Sequence, residues 1–166
     1  CPKTSSMGRL FDAASAILEI CSRNTYHAQA PMELEACASE TAGEQGFYEA
    51  RTKDESGSIE IDAASIIRGV TEDKLDGIPV PVCAARFHNS IARMISKTCC
   101  RIRGLRGVNT VALSGGVFAN AFLVERAVPL LEDEGFEVLL NSLVPAGDGG
   151  ISLGQAGVAA WRLSCA

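Results

Sequence analysis

The chain has 166 residues, of which 47% are hydrophobic and 21% charged, and a formal net charge of −5. That length and composition suit one globular domain with a real core and exclude a disordered chain. The acidic balance argues against nonspecific nucleic-acid binding, which needs excess cations to displace phosphate counterions.

Ser5 or Ser6 can cap a helix from Met7 to about Cys21, with Leu10, Phe11, Ala14, Ile17 and Leu18 on one apolar face. Pro31 suits the first turn of a second helix carrying Met32, Leu34, Ala38 and the carboxylates Glu33 and Glu35. Phe47 to Thr52 and Ser58 to Asp62 alternate as two short strands around a polar turn at 53–57. An amphipathic helix is expected from Ala63 to about Leu75. Pro81 then opens a long helix through Arg103, with Ala84, Phe87, Ile91, Met94 and Ile95 at helical spacing. His88 falls on its apolar face and reads as a core or interface histidine. The basic stretch from Lys97 to Arg106 reads as a solvated face and a C-terminal turn favoured by the helix dipole.

After Gly104 the pattern changes. Val108 to Leu113 reads as a fully buried strand, Val117 to Glu134 as a helix with Gly135 as its C-cap, and Phe136 to Leu140 as a second buried strand. Asp148 or Gly149 opens a last helix through Leu163. Strand, helix, strand, helix with apolar strands indicates an α/β fold with a parallel sheet, the helix-rich first hundred residues packing on one side. There is no internal repeat, so residues 1–166 read as a single domain. The uncharged run 107–124 is not a membrane span, because Asn109, Ser114, Gly115, Gly116 and Asn120 divide it into strand, turn and helix.

Seven cysteines stand at positions 1, 21, 37, 83, 99, 100 and 165 with no C-x-x-C pair. Free, mostly buried thiols in a reducing cytoplasm fit this pattern, and a cysteine zinc site does not. The chain opens on Cys1-Pro-Lys without a methionine or an apolar leader, and reads as a piece of something longer.

Two glycine-paired segments carry the chemistry: Val111-Ala-Leu-Ser-Gly-Gly-Val-Phe-Ala-Asn120 and Pro145-Ala-Gly-Asp-Gly-Gly-Ile-Ser-Leu-Gly-Gln155. Gly115 and Gly116 permit a close backbone approach to a ligand, and a helix beginning near Val117 would aim free N–H groups at an anion. Asp148 supplies one oxygen ligand for a cation, or is no more than a helix N-cap. A phosphate cradle beside a carboxylate suits a nucleotide.

Five ordered segments extend this into a resemblance: Ser5-Ser-Met-Gly-Arg-Leu-Phe-Asp-Ala13, Thr25-Tyr-His-Ala-Gln-Ala-Pro-Met-Glu-Leu-Glu35, Arg86-Phe-His-Asn89, Leu113-Ser-Gly-Gly-Val-Phe-Ala-Asn120 and Gly147-Asp-Gly-Gly-Ile-Ser-Leu-Gly-Gln155. Together they resemble the C-terminal part of the HypF-type carbamoyltransferases, which mature [NiFe] hydrogenases. The resemblance implies one lobe of the fold shared by sugar kinases, Hsp70 and actin, with a nucleotide in the cleft and a divalent metal (iron, magnesium or zinc) near its phosphates. By it, Asp12, Glu33 and Asn120 correspond to groups around the nucleoside, Ser114, Gly115 and Gly116 to the phosphate loop, and Asp148 to a metal ligand.

It also implies the chemistry: ATP and carbamoyl phosphate as small-molecule substrates, and a carbamoyl-adenylate whose carbamoyl group passes to the C-terminal cysteine thiol of a hydrogenase maturation partner. The thiocarboxamide is a precursor of the cyanide ligand. No membrane is implied, and nucleic acid is not expected. No catalytic side chain is assigned. The family usually has Tyr-Glu-Gly where this chain has Tyr26-His27-Ala28, and Gln-Asn-Arg where it has Ala119-Asn120-Ala121. The two histidines that complete the family's metal site lie upstream of these residues. Threonylcarbamoyl transfer to tRNA, and a truncated fragment with only a binding role, are the alternative expectations.

Overall fold

The structure is a computed structural model that describes residues 4–55 and 58–165. The expectations that fall on Cys1 and on the tip of the 53–57 turn lie outside the described residues. Helices α1 (Met7–Ile17), α2 (Gln29–Ser39), α3 (Ala64–Leu75) and α4 (Val80–Arg106) fill most of the first hundred residues. A hairpin, β1 (Arg51–Glu55) and β2 (Ser58–Asp62), interrupts them. The second part runs β3 (Thr110–Leu113), a 3-10 turn at Gly116–Ala119, α5 (Ala121–Asp133), β4 (Glu137–Leu140), a 3-10 turn at Asp148–Gly150 and α6 (Ile151–Ser164).

The 27-residue α4 is the axis of the molecule, about 40 Å long at 1.5 Å per residue. Cys83, Ala84, Phe87, His88, Ile91 and Ala92 along it are fully buried. Phe11 and Ala14 of α1, Leu34 and Ala38 of α2, Ile66 and Val70 of α3, and Leu123, Ala127 and Leu131 of α5 close around them. β3 and β4 pair in parallel, Thr110 opposite Glu137 through Leu113 opposite Leu140, with α5 as the crossover. The α/β class, with a helix-rich first half and a parallel strand pair in the second, agrees with the sequence.

Several expectations are corrected. The first helix ends at Ile17, with Leu18 as its C-cap, rather than at Cys21, because Glu19 turns the chain at φ 60 and pairs with Lys74 at 3.0 Å. Ser6 precedes that helix but makes no side-chain cap bond. The first strand is Arg51–Glu55, not 47–52, because residues 44–48 are bound to α4 instead. The Tyr48 N–H donates to Ser90 Oγ at 2.7 Å, and Asn89 Nδ2 donates to the carbonyls of Glu44 and Gly46. The two parallel strands are not fully buried: only Leu113 is, and Leu139 and Leu140 are 49% and 46% exposed. Only one face of this two-stranded sheet is covered among the described residues. The basic stretch is not simply a solvated face. Arg103 stacks on the Phe136 ring at 4.1 Å and donates to the Glu134 carbonyl at 2.7 Å, satisfying the last turn of α5.

α6 stands apart. Its main contact in the chain is the 3-10 turn before it, and Trp161 and Leu163 are 65% and 81% exposed. No helix among the described residues is long and apolar enough to cross a membrane. The described cysteines are all free thiols, but only Cys21 and Cys83 are buried.

Candidate functional site

Two concavities meet at the glycine pair. The first, about 370 Å³, lies between α1, the 26–35 segment and the 3-10 turn, with Asp12, His27, Glu35, Gly116 and Asn120 among its walls. The second, about 520 Å³, lies between the 114–115 and 141–154 segments, with Ser114, Gly115, Asn141 and Asp148 on its lining. Gly115 and Gly116 form the wall that separates them. Of the seven sequence-predicted residues, Asp12, Gly116 and Asn120 fall on the first concavity, and Ser114, Gly115 and Asp148 on the second. Glu33 lines neither: it accepts from Gln29 Nε2 at 2.7 Å.

The glycine turn has the backbone its sequence calls for. Gly115 sits at φ 104, where any Cβ is strained, and its N–H donates to the Ala146 carbonyl at 2.7 Å. Ser114 Oγ reaches the same carbonyl at 3.3 Å. That tie brings the two glycine segments together, and the backbone of 147 passes Gly116 closely. At Gly150 a Cβ would lie 2.7 Å from the Pro145 carbonyl oxygen, so the turn that carries Asp148 also requires glycine.

The helix after the turn does not begin near Val117, as the sequence suggests. A 3-10 turn intervenes and α5 starts at Ala121, with Asn120 in extended conformation as its N-cap. Nor are its amides free for an anion. The Ala121 and Phe122 N–H groups donate to Glu35 Oε1 at 2.7 and 3.2 Å, and the Leu123 N–H to Asn120 Oδ1 at 2.7 Å. A carboxylate of the protein already sits on the helix dipole. The amides of Gly116 and Val117 remain without a partner among the described residues, and they are the donors this turn offers a phosphate.

Asp12 has the clearest unmet hydrogen-bonding capacity. Its carboxylate lies 2.8 Å from the Arg9 guanidinium, yet both oxygens are buried and neither accepts a hydrogen bond among the described residues. A buried acceptor left in that state costs stability unless a donor arrives, and a ligand hydroxyl is such a donor. Asn120 Nδ2 donates to His88 Nε2 at 3.0 Å, and His88 Nδ1 lies 2.8 Å from the Ala84 carbonyl. Burial first, and the Arg126 charge second, push the His88 pKa down to about 4, against the Ala84 hydrogen bond.

A cation fares less well. Asp148 is exposed, and among the described residues no group of three His, Cys, Asp or Glu side chains could hold a metal. One carboxylate does not hold a divalent ion tightly, so these residues alone do not make a metal site.

Comparison with known proteins decides the family. The family described as "Carbamoyltransferase, Kae1-like Domain, second subdomain" matches residues 1–155. The chain belongs to this family. It is 31% identical over 154 residues to the carbamoyltransferase HypF of Synechocystis sp., covering 93% of this chain and 19% of that protein. With the carbamoyltransferase HypF of Rhizobium leguminosarum bv. viciae the identity is 36% over 155 residues, covering 93% and 19%. The crystal structure of full-length HypF in the phosphate- and nucleotide-bound form superposes with a TM-score of 0.89 at 40% identity, covering 96% of this chain and 21% of that one. A shorter likeness, 30% over 82 residues and 49% of this chain, links it to the tRNA N6-adenosine threonylcarbamoyltransferase of Thermosipho africanus. The chain spans about a fifth of the length of the HypF relatives it matches.

Within this carbamoyltransferase domain, two groups of the site escape a reading of the sequence. Glu35 faces α5 across 86 positions of chain, and no local pattern announces that contact. The partnership of His88 with Asn120 spans 32 positions and is equally silent. His88 itself is the core histidine its apolar neighbours indicate, ringed edge-on by Phe11, Phe87 and Phe122.

Proposed function

We propose that this chain forms one wall of the nucleotide cleft of a carbamoyltransferase, with the nucleoside in the Asp12–Asn120 concavity and the phosphates passing Gly115 and Gly116 toward Asp148. The observation that carries this reading is the pair of buried Asp12 oxygens, ion-paired with Arg9 but accepting no hydrogen bond among the described residues, next to the Gly116 and Val117 amides, also unpartnered there. A nucleoside hydroxyl and a phosphate complement those two places respectively. That the similar full-length HypF crystallised in a phosphate- and nucleotide-bound form supports it.

The reaction in this reading is transfer of a carbamoyl group from carbamoyl-adenylate, made from ATP and carbamoyl phosphate, to the C-terminal cysteine thiol of a hydrogenase maturation partner. The thiolate adds to the carbamoyl carbon, the phosphate oxygen of AMP leaves, and the thiocarboxamide precursor of cyanide remains. The acyl group arrives activated, so no nucleophilic side chain is needed here. These residues orient the adenylate and stabilise charge on its phosphate. A divalent metal enters this reading only with further ligands beside Asp148, and a cytoplasmic setting goes with the free thiols.

Calorimetric titration with ATP tests the reading. The wild-type chain is expected to bind, and Asp12→Ala to bind about tenfold more weakly through the lost charge-assisted hydrogen bond. No binding by the wild type, or equal binding by the variant, rejects it. The 82-residue likeness favours threonylcarbamoyl transfer to tRNA as a second reading. The net charge of −5 opposes it, and tight, salt-sensitive tRNA binding would establish it instead.

A further inference from the structure

The Ala84 carbonyl can only accept a hydrogen bond, so the proton of the neutral His88 ring lies on Nδ1 and donates to it. Nε2 then carries a lone pair and can only accept. The Asn120 side chain is oriented from both ends: the Leu123 N–H requires an oxygen, and the His88 Nε2 lone pair requires an N–H. One of the two Nδ2 hydrogens is used in this way. Asn120 lines the nucleoside concavity, and its second Nδ2 hydrogen has no partner among the described residues.

We infer that His88 is a positioning residue, which as its Nδ1–H tautomer fixes the Asn120 carboxamide so that the concavity is offered a hydrogen-bond donor. The ligand class follows: at this point the nucleoside must present an acceptor, a ring nitrogen or an oxygen, rather than an N–H. This refines the nucleotide reading and rests on it for the ligand, whereas the orientation of Asn120 by His88 stands without it.

A second proton on His88 would place an N–H against an N–H. The carboxamide would have to flip, which turns its nitrogen toward the Leu123 N–H and removes both the α5 cap and the donor in the concavity. The surroundings oppose that proton. Phe11 of α1, Phe87 of α4 and Phe122 of α5 bring no charge to the ring, and Arg126 of α5 brings a positive one. Of the other charged groups on the packed elements, Arg86 of α4 is committed to Asp73 at 2.8 Å, and Asp12 of α1 and Glu35 of α2 lie along the concavity.

Nitrogen-15 NMR of the histidine rings in this chain, without ligand, decides the orientation. The expected signature is the Nδ1–H tautomer of His88 with no titration across about pH 5–8. Asn120→Asp replaces the donor by a carboxylate and is expected to bring the titration of His88 up into that range. An Nε2–H tautomer, or a titration unmoved by Asn120→Asp, overturns the inference. With ATP as probe, His88→Leu is expected to weaken binding about tenfold, and His88→Gln, which restores an acceptor, to recover most of it. Equal affinity of a folded His88→Leu chain and the wild type also overturns it. If the wild type binds no ATP, the nucleotide reading fails while the NMR outcome still decides the His88–Asn120 relation.

Discussion

Around the middle of α4, three successive polar side chains find partners inside the chain: Ser90 Oγ donates to the Arg86 carbonyl, Asn89 holds the 44–46 backbone, and His88 is bonded at both nitrogens. Arg86 Nε and Ser15 Oγ in the same core, however, make no hydrogen bond among the described residues. Along the rim of the glycine turn, Asp12 pairs with Arg9 but accepts no hydrogen bond, the Gly116 and Val117 amides have no acceptor among the described residues, and Asp148 faces solvent. α6 beyond that rim buries nothing. The contrast separates two jobs. Side chains around α4 hold the fold whether or not a ligand is present, whereas the rim keeps its hydrogen-bonding capacity for something that is not part of these residues.

Substitutions that remove similar apolar bulk from the two regions should give the largest divergence. Phe87, fully buried and edge-on to Phe11 at 4.9 Å between ring centroids, should cost about 3–5 kcal/mol when changed to Ala, read as a fall in the urea midpoint. Trp161, the larger side chain but 65% exposed, should cost less than about 0.5 kcal/mol in the same chain. Equal losses would erase the distinction.

The next effect is pH dependence from His88, and it sharpens the picture of a core fixed in one protonation state. The folded pKa of about 4 lies below the ordinary 6.5, so between these values the unfolded chain binds more protons. Stability from this group is therefore fully present above about pH 6.5 and is lost as pH falls toward 4, by about 3 kcal/mol in all. Urea melts from pH 7 to 4 measure it, and the slope in this window should shrink in His88→Gln. An unchanged slope would assign the acid loss to other groups.

How much of this is legible in the chain depends on how local the deciding contacts are. The long α4 is legible because its apolar residues recur at helical spacing, and the glycine turns because Gly115 and Gly150 are needed by their own immediate backbone. The Arg86-Phe-His-Asn89 segment shows the limit. Phe87 and His88 announce a core face, but nothing nearby tells that Arg86 and Asn89 reach out to Asp73 and to the 44–46 loop. The same holds at the site. Asn120 reads as part of a helix starting near Val117, not as the cap of one starting at Ala121, and the choice of Glu35 over Glu33 as the carboxylate facing α5 is made by packing across 86 positions. The apolar composition of β3 and β4 points to burial, and composition cannot say which neighbours cover them.

The smallest expected effect concerns Ala28, at the boundary of the two regions. It precedes α2 at φ 58 and ψ 23, a left-handed conformation that costs a residue with a Cβ about 1–2 kcal/mol, and it borders the concavity lined by Asp12 and Asn120. The chain tolerates this because Thr25 and Asn24 fix the start of α2: the Thr25 N–H donates to Gln29 Oε1 at 2.7 Å and the Ala30 N–H to Asn24 Oδ1 at 2.9 Å. Ala28→Gly relieves the strain but gives the unfolded chain more freedom, so the net gain should be about 0.5–1 kcal/mol. A rise in the urea midpoint of that size, with ATP affinity unchanged, would mark Ala28 as a cost to the fold alone. If affinity rises as well, the methyl group stands in the ligand's way, and the boundary between fold and rim runs through this residue.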